Sequence, residues 1–312
     1  MDTATVERFE ASRDRLASIA YRLLGSAADA EDTVQDAFLR WQSADRTYVE
    51  VPEAWLTKIV TNLALDRLRS AKARHERSVG TWMPEPLLDG DPMLGPADTV
   101  EQRESVTLAV LALMERLSPV ERAVYVLHEA FAYRHAEIAE ILDITVSASQ
   151  QHLHRARARI TVARNTTGID RVAARRIVAA FVDAASSGRI DDLIALLTDD
   201  ATGVSDGVGG LATKLIHYLT PQRLARAVQA GLTPTPAKRR LVGGSPSIHA
   251  IVVNGCPAMA FTLDDRILGI AIIEIRGDKI AGLRSIAAPT RLARLAEQWQ
   301  RSEHDAALIE SW

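Results

Sequence analysis

Between Gly80 and Asp98 the chain reads GTWMPEPLLDGDPMLGPAD, which sets Pro84, Pro86, Pro92 and Pro96 among Gly80, Gly90 and Gly95. Proline has no amide to donate and its ring clashes with the preceding turn, while glycine loses the most backbone freedom on ordering. Neither a helix nor an inner strand survives that density. Residues 79–99 therefore read as a linker, with separate folding bodies on either side. Trp82, Met83, Leu87 and Leu88 would be wasted on a free tether, so they predict a linker that lies on a surface.

The bodies differ in period. Before the linker, residues 5–78 carry helical spacing: Leu16, Ile19, Ala20, Leu23 and Leu24, then Gly25 as a stop. Asp29 is the expected cap of a second helix with Val34, Ala37, Phe38 and Trp41 on one face, and Pro52 suits the first turn of a third. After the linker, helices are expected over 100–117, 122–129, 136–142 and 147–164, with Ser118-Pro119 as a cap and first-turn pair. Beyond Gly168 two helices (171–185, 190–197) precede strands at 248–253, 258–263, 268–275 and 279–286, punctuated by Asn254-Gly255 and Arg276-Gly277-Asp278. The expected fold class is multidomain: two all-α domains, the second with a helix-turn-helix, and one α+β domain.

Composition excludes several classes. The 312 residues include one cysteine, Cys256, so neither a disulfide framework nor a cysteine-rich zinc site is available. The opening MDTATVERFE lacks the basic start and apolar stretch of a secretory signal, and no window approaches 18 uninterrupted apolar residues. The expected compartment is the cytoplasm. The formal charge is −3; residues 1–168 hold 20 Lys+Arg against 25 Asp+Glu. Any contact with nucleic acid must use local patches.

Such patches exist. Asp29, Glu31, Asp32 and Asp36 crowd one stretch, whereas Lys58, Arg67, Arg69, Lys72, Arg74 and Arg77 follow on the next helix beside Asp66 and Glu76. An acidic helix next to a basic one suits a basic protein on one face and phosphates on the other. Further on, Phe131–Ile160 fits a helix-turn-helix, with Ile138, Ala139, Leu142, Ile144, Leu153 and Ile160 as its apolar anchors. Its second helix has no acidic residue from Thr145 to Arg164. It offers Ser147, Gln150, Gln151, His152, His154, Arg155, Arg157 and Arg159 to base edges and phosphates. His128 with His135, and His152 with His154, are not spaced as a metal site, and no metal or cofactor is expected.

Taken in order, DAEDTVQDAFLRW (Asp29–Trp41), PEAWLTKIVTNLALDRLRS (Pro52–Ser70), the linker and LSPVERAVYVLHEAFAYRHAEIAEILDITVSASQQHLHRARARI resemble a bacterial sigma factor of the extracytoplasmic-function (group 4, sigma-70) type. The resemblance implies sigma domain 2 at 1–78 and sigma domain 4 at 100–166. It implies that Asp29, Glu31, Asp32, Gln35, Asp36 and Arg40 meet the RNA polymerase core. Asn62 and Asp66 would read the −10 element, with Arg67, Arg69 and Lys72 beside them; Trp55 reads as core. Ser147, Gln150, Gln151, His154, Arg155 and Arg157 would meet the −35 element, although the family often has Lys or Arg where this chain has Gln150.

The last part, 169–290 with a helical tail at 291–312, resembles the SnoaL-like (nuclear transport factor 2-like) cone fused to a subfamily of these factors. Trp82, Pro84, Glu85 and Pro86 match its linker mark as TWMPEP. Asp206, Gly207, Gly209 and Gly210 match its glycine-rich mark. AAPTRL keeps Pro289, Arg291 and Leu292 of a third mark. The resemblance implies a fused regulator in place of a separate anti-sigma factor, and not an enzyme. Two alternatives stand: a helix-turn-helix regulator acting without polymerase, or a cyclase- or isomerase-type enzyme in the cone, with Asp206 and His217 as acid–base candidates. An unknown small ligand of the cone remains a candidate partner, alongside core polymerase and promoter DNA.

Overall fold

The computed structural model describes residues 3–45, 47, 49–75, 83–96, 98–160, 169–207 and 215–312. Trp82, Gly209 and Gly210 lie outside them, as does the side chain of Lys72. The chain divides into two compact units: Met1–Val79, Met83–Glu85 and Gly90–Val162, and Gly80–Trp82, Pro86–Asp89 and Ala163–Trp312.

The first unit is helical. Helix α1 (Thr3–Leu24), α2 (Ala27–Ser43) and α3 (Pro52–His75) pack around Leu16, Ile19, Leu23, Val34, Trp41, Leu56 and Val60, all buried. Gly25 ends α1 in the left-handed region (φ +68°). The cap of α2 is Ser26, whose hydroxyl accepts from the Asp29 amide at 3.1 Å; Asp29 stands inside the first turn, not at the cap expected of it. The periodic run after the linker splits into α4 (Val100–Glu104) and α5 (Leu108–Met114), because Thr107 caps α5 anew by accepting from Val110.

Next come α6 (Pro119–Tyr125), a π-helical turn (Val126–Ala130), α7 (His135–Leu142) and α8 (Val146–Arg159). Asp143 turns the chain between α7 and α8 in the left-handed region (φ +53°) and Thr145 caps α8. Val124, Leu127, Ile138, Ile141 and Leu153 form the core of this helix-turn-helix. Ile141 takes the buried place expected of Leu142, which is half-buried.

The second unit is α+β. Helices α9 (Arg171–Ser186) and α10 (Ile190–Ala195) precede a six-stranded sheet in the order β2-β1-β6-β5-β4-β3. The strands are β1 (Leu197–Ser205), β2 (Ile216–Tyr218), β3 (Ser247–Val253), β4 (Cys256–Leu263), β5 (Arg266–Arg276) and β6 (Lys279–Ile286). Between β2 and β3 lie α11 (Pro221–Leu232) and α12 (Pro236–Val242); α13 (Pro289–Arg301) closes the order. β3 to β6 form the antiparallel meander, and β1 joins β6 in parallel. Phe181, Val182, Leu224, Val228, Met259, Ile273 and Leu283 fill the space between helices and sheet. The helical tail ends at Arg301; Leu308 and Ile309 instead pair with Ile248 on the edge of β3. Among the described residues no helix is long and apolar enough to cross a membrane.

Candidate polymerase and promoter interface

On α2, Asp29, Glu31, Asp32, Gln35 and Arg40 are exposed and Asp36 is half-buried, with Leu39 standing out among them at 55% exposure. An acidic face on a helix suits a partner surface of opposite charge. One residue assigned to DNA sits against this face. Arg67 on α3 lies 2.7 Å from Asp36 and 3.9–4.0 Å from Asp29 and Asp32. Its guanidinium is paired with these acids, most closely with Asp36. Asp66 is paired with Arg69 at 3.0 Å, and Asn62 is half-buried on the same helix. Trp55 packs on Trp41, ring centroids 5.5 Å apart.

The sequence did not suggest the partner of Lys58. Its ammonium donates to the Glu140 carbonyl at 2.9 Å and to Asp143 at 2.8 Å, in the turn of the helix-turn-helix. Thr57 and Tyr133 share a hydrogen bond of 3.1 Å nearby. Arg22 is fully buried and bonds to Ser18, Ser105 and the Gln102 carbonyl, with its guanidinium 5.2 Å from the Phe131 ring. Burial lowers its pKa to about 9.

On α8, Ser147, Gln150, Gln151 and His154 are exposed and line one shallow depression with Arg155. Arg155 and Arg159 bond to Glu121 at 3.0 and 2.6 Å, and Arg157 to Glu129 at 2.9 Å. Glu121 also accepts from the Ser118 amide, completing a capping box that the Ser118–Glu121 spacing announces. Burial works against its charge, but the Ser118 amide and the two arginines outweigh it and hold the carboxyl below its usual range. His128 and His135 stack at 4.9 Å, and His135 Nδ1 shares a hydrogen with Ser149 rather than aiming at a metal. Among the described residues no group of His, Cys, Asp and Glu is arranged to hold a metal ion.

In the first unit the Glu85 carboxylate accepts from the Ser26 hydroxyl (2.9 Å) and the Ala27 amide (2.8 Å), a second cap on α2. In the second unit Leu87 exchanges two hydrogen bonds with Asn254, amide to side chain at 2.8 Å and carbonyl to amide at 3.0 Å. The Asp89 amide reaches the Val252 carbonyl at 3.0 Å. The linker thus lengthens the sheet beyond β3. Asp206 is buried and accepts from the amides of Ala287 (2.7 Å) and Ala288 (3.2 Å) and from Arg291 (3.2 Å). It caps α13 from outside, so two of the sequence marks meet as one structural joint. Pro84 and Pro86 are buried, and Gly207 turns the chain after β1 with φ +89°. His217 is exposed on the short edge strand β2.

Residues 8–74 match the family Sigma-70 region 2, and residues 107–160 match Sigma-70, region 4. The ECF RNA polymerase sigma factor SigJ of Mycobacterium tuberculosis is 41% identical over 209 residues, 67% of each chain. The chain belongs to the ECF sigma factors. The probable ECF sigma factor SigI of the same organism is 29% identical over 289 residues, covering 91% of this chain and 93% of its own. The crystal structure of SigJ superposes with a TM-score of 0.68 at 31% identity, over 93% of this chain and 98% of that one. The likeness to SigJ therefore runs through the α+β domain as well. As a sigma factor the chain serves DNA-templated transcription initiation, binding core RNA polymerase and promoter DNA.

Proposed function

We propose that this sigma factor docks core polymerase through the α2 face (Asp29, Glu31, Asp32, Gln35, Asp36, Arg40), reads the −10 element with α3 and the −35 element with α8. Its α+β domain is a built-in regulator standing in for a separate anti-sigma factor. The linker carries this reading: Glu85 bonds to the α1–α2 turn within the first unit, and Leu87 and Asp89 extend the sheet of the second. A segment committed by backbone bonds is a means of setting sigma-domain geometry, not a loose tether. The factor works in the cytoplasm, where its polymerase is.

The α+β domain acts without catalysis. Its acid–base candidate Asp206 is spent on three structural bonds, and His217 sits on an exposed strand edge.

Run-off transcription with bacterial core polymerase tests the reading. Transcript should depend on the added chain. Asp32→Lys with Asp36→Lys should abolish core binding; retained binding would remove α2 as the docking face. Asn254→Gly keeps the left-handed backbone at this position (φ +50°) but removes the side-chain clamp on Leu87. It should shift transcript yield in the same direction as truncation at Asn165. Yields unchanged in both would dispose of the regulatory role.

A further inference from the structure

α8 carries two kinds of side chain. Ser147, Gln150, Gln151 and His154 recur at helical spacing and share the exposed depression, whose rim Arg155 completes. The three arginines are half-exposed, and each is paired with a carboxylate of its own domain. Arg155 donates from Nε to Glu121 Oε1 at 3.0 Å and from its second guanidinium nitrogen to His152 Nδ1 at 2.8 Å. Arg159 donates to Glu121 Oε2 at 2.6 Å, and Arg157 to Glu129 Oε1 at 2.9 Å. The acceptors are enclosed: the Glu121 and Glu129 side chains are 5% and 12% exposed, against 45–57% for the three arginines.

That asymmetry decides the competition. A DNA phosphate that drew Arg157 away would strip the nearly buried Glu129 of its arginine, and one that drew Arg155 or Arg159 away would leave Glu121 with one arginine of two, losses that a low-dielectric site resists. Two half-exposed ions would have traded partners freely.

We propose that Glu121 and Glu129 are positioning residues that withhold Arg155, Arg157 and Arg159 from the DNA backbone, so that the −35 element is read by Ser147, Gln150, Gln151 and His154. This rests on the assignment of α8 to the −35 element. The glutamine amide offers one acceptor and two donors in a plane, which match the N7 and N6 groups of adenine. Adenines opposite Gln150 and Gln151 are the expected contacts, and counterion release supplies little of the affinity.

The test uses the full chain bound to core polymerase. A duplex pool randomised upstream of the −10 element is selected by this holoenzyme; the selected duplex and a scrambled one become the probes. Gln150→Ala and Gln151→Ala should each cut discrimination between the probes by roughly 5- to 150-fold with the salt dependence unchanged. Glu121→Gln with Glu129→Gln should steepen the logarithmic salt slope by about 2 to 3 and tighten binding to the scrambled duplex, since each arginine reaching a phosphate adds about 0.9. Arg157→Ala and Arg159→Ala, which remove side chains that are themselves half-exposed, should leave the wild-type slope alone. Losing about 0.9 from the slope in either would show that arginine already on phosphate and overturn the proposal. These two variants decide the matter even where the glutamate variants unfold. If the wild-type holoenzyme selects no upstream sequence, the −35 assignment itself fails and takes this inference with it.

Discussion

At the scale of single residues, acids here act mainly as caps and counterions. Glu85 supplies two acceptors to the start of α2, and Asp206 does the same for α13, whose own cap position is Ala288. Glu85→Ala should cost about 1–2 kcal/mol of stability in denaturant unfolding. Asp206→Ala should cost more, about 2–3 kcal/mol, because Arg291 loses its carboxylate as well. Asp206→Asn, which keeps an acceptor, should fall between wild type and alanine. Cys256 is buried, and burial beside Glu274 pushes its thiol up to about 12. An alkylating reagent should leave it intact in the native protein at neutral pH and modify it on unfolding.

At the scale of elements, two histidines of the helix-turn-helix are harder to protonate in the fold than in the free chain. His135, at the first position of α7, donates to or accepts from Ser149 on α8; burial lowers its pKa, helped by His128 and Arg157. Burial and then Arg155 lower that of His152, and its Nδ1 accepts from Arg155. The folded state therefore binds these protons less readily than the unfolded chain. Stability is full above the unfolded histidine value of about 6.5 and falls as the solution is acidified through and below it. Urea midpoints should drop from pH 7.5 to pH 5.5, and His135→Gln should flatten that dependence. A flat wild-type profile would mean neither imidazole titrates differently on folding.

The same scale shows what periodicity reads well and badly. Helices α1, α2, α3, α7 and α8 and the meander β3–β6 stand near their expected bounds, because each buries one face at its natural period. The stretch from 198 to 247 gave no such signal, yet it holds β1, β2, α11 and α12. β1 is a strand because it lies beside β6 in parallel, a pairing that no local pattern announces. The cap of α2 moved from Asp29 to Ser26 for a local reason: both residues can cap, and the packing of Ala27 and Ala30 sets where the helix starts.

At the scale of the whole molecule, a chain of net charge −3 has little unaided pull on DNA. Among the described residues, the three α8 arginines and Arg67 are bound to carboxylates, which lowers the positive charge these helices offer. The chain alone should give no promoter footprint at physiological salt, and addition of core polymerase should produce one. A footprint without polymerase would favour a conventional helix-turn-helix regulator. The linker makes a second prediction. The Leu87 and Asp89 amides, bonded to Asn254 and Val252, should resist hydrogen exchange to the degree that β3 does, and Asn254→Gly should release that of Leu87.

The sequence by itself determined the sigma-type order of acidic helix, basic helix, linker and helix-turn-helix, because apolar period and turn chemistry are local properties of the chain. It also announced a linker that packs, since Leu87 and Leu88 had to be buried somewhere. Only the tertiary structure decided which charges are free. Arg67, Arg155 and Arg157 read as DNA contacts in one dimension, and each faces a carboxylate brought from another element. Ion pairing depends on distances of a few ångströms between residues some 30 positions apart, and spacing along the chain carries no record of them.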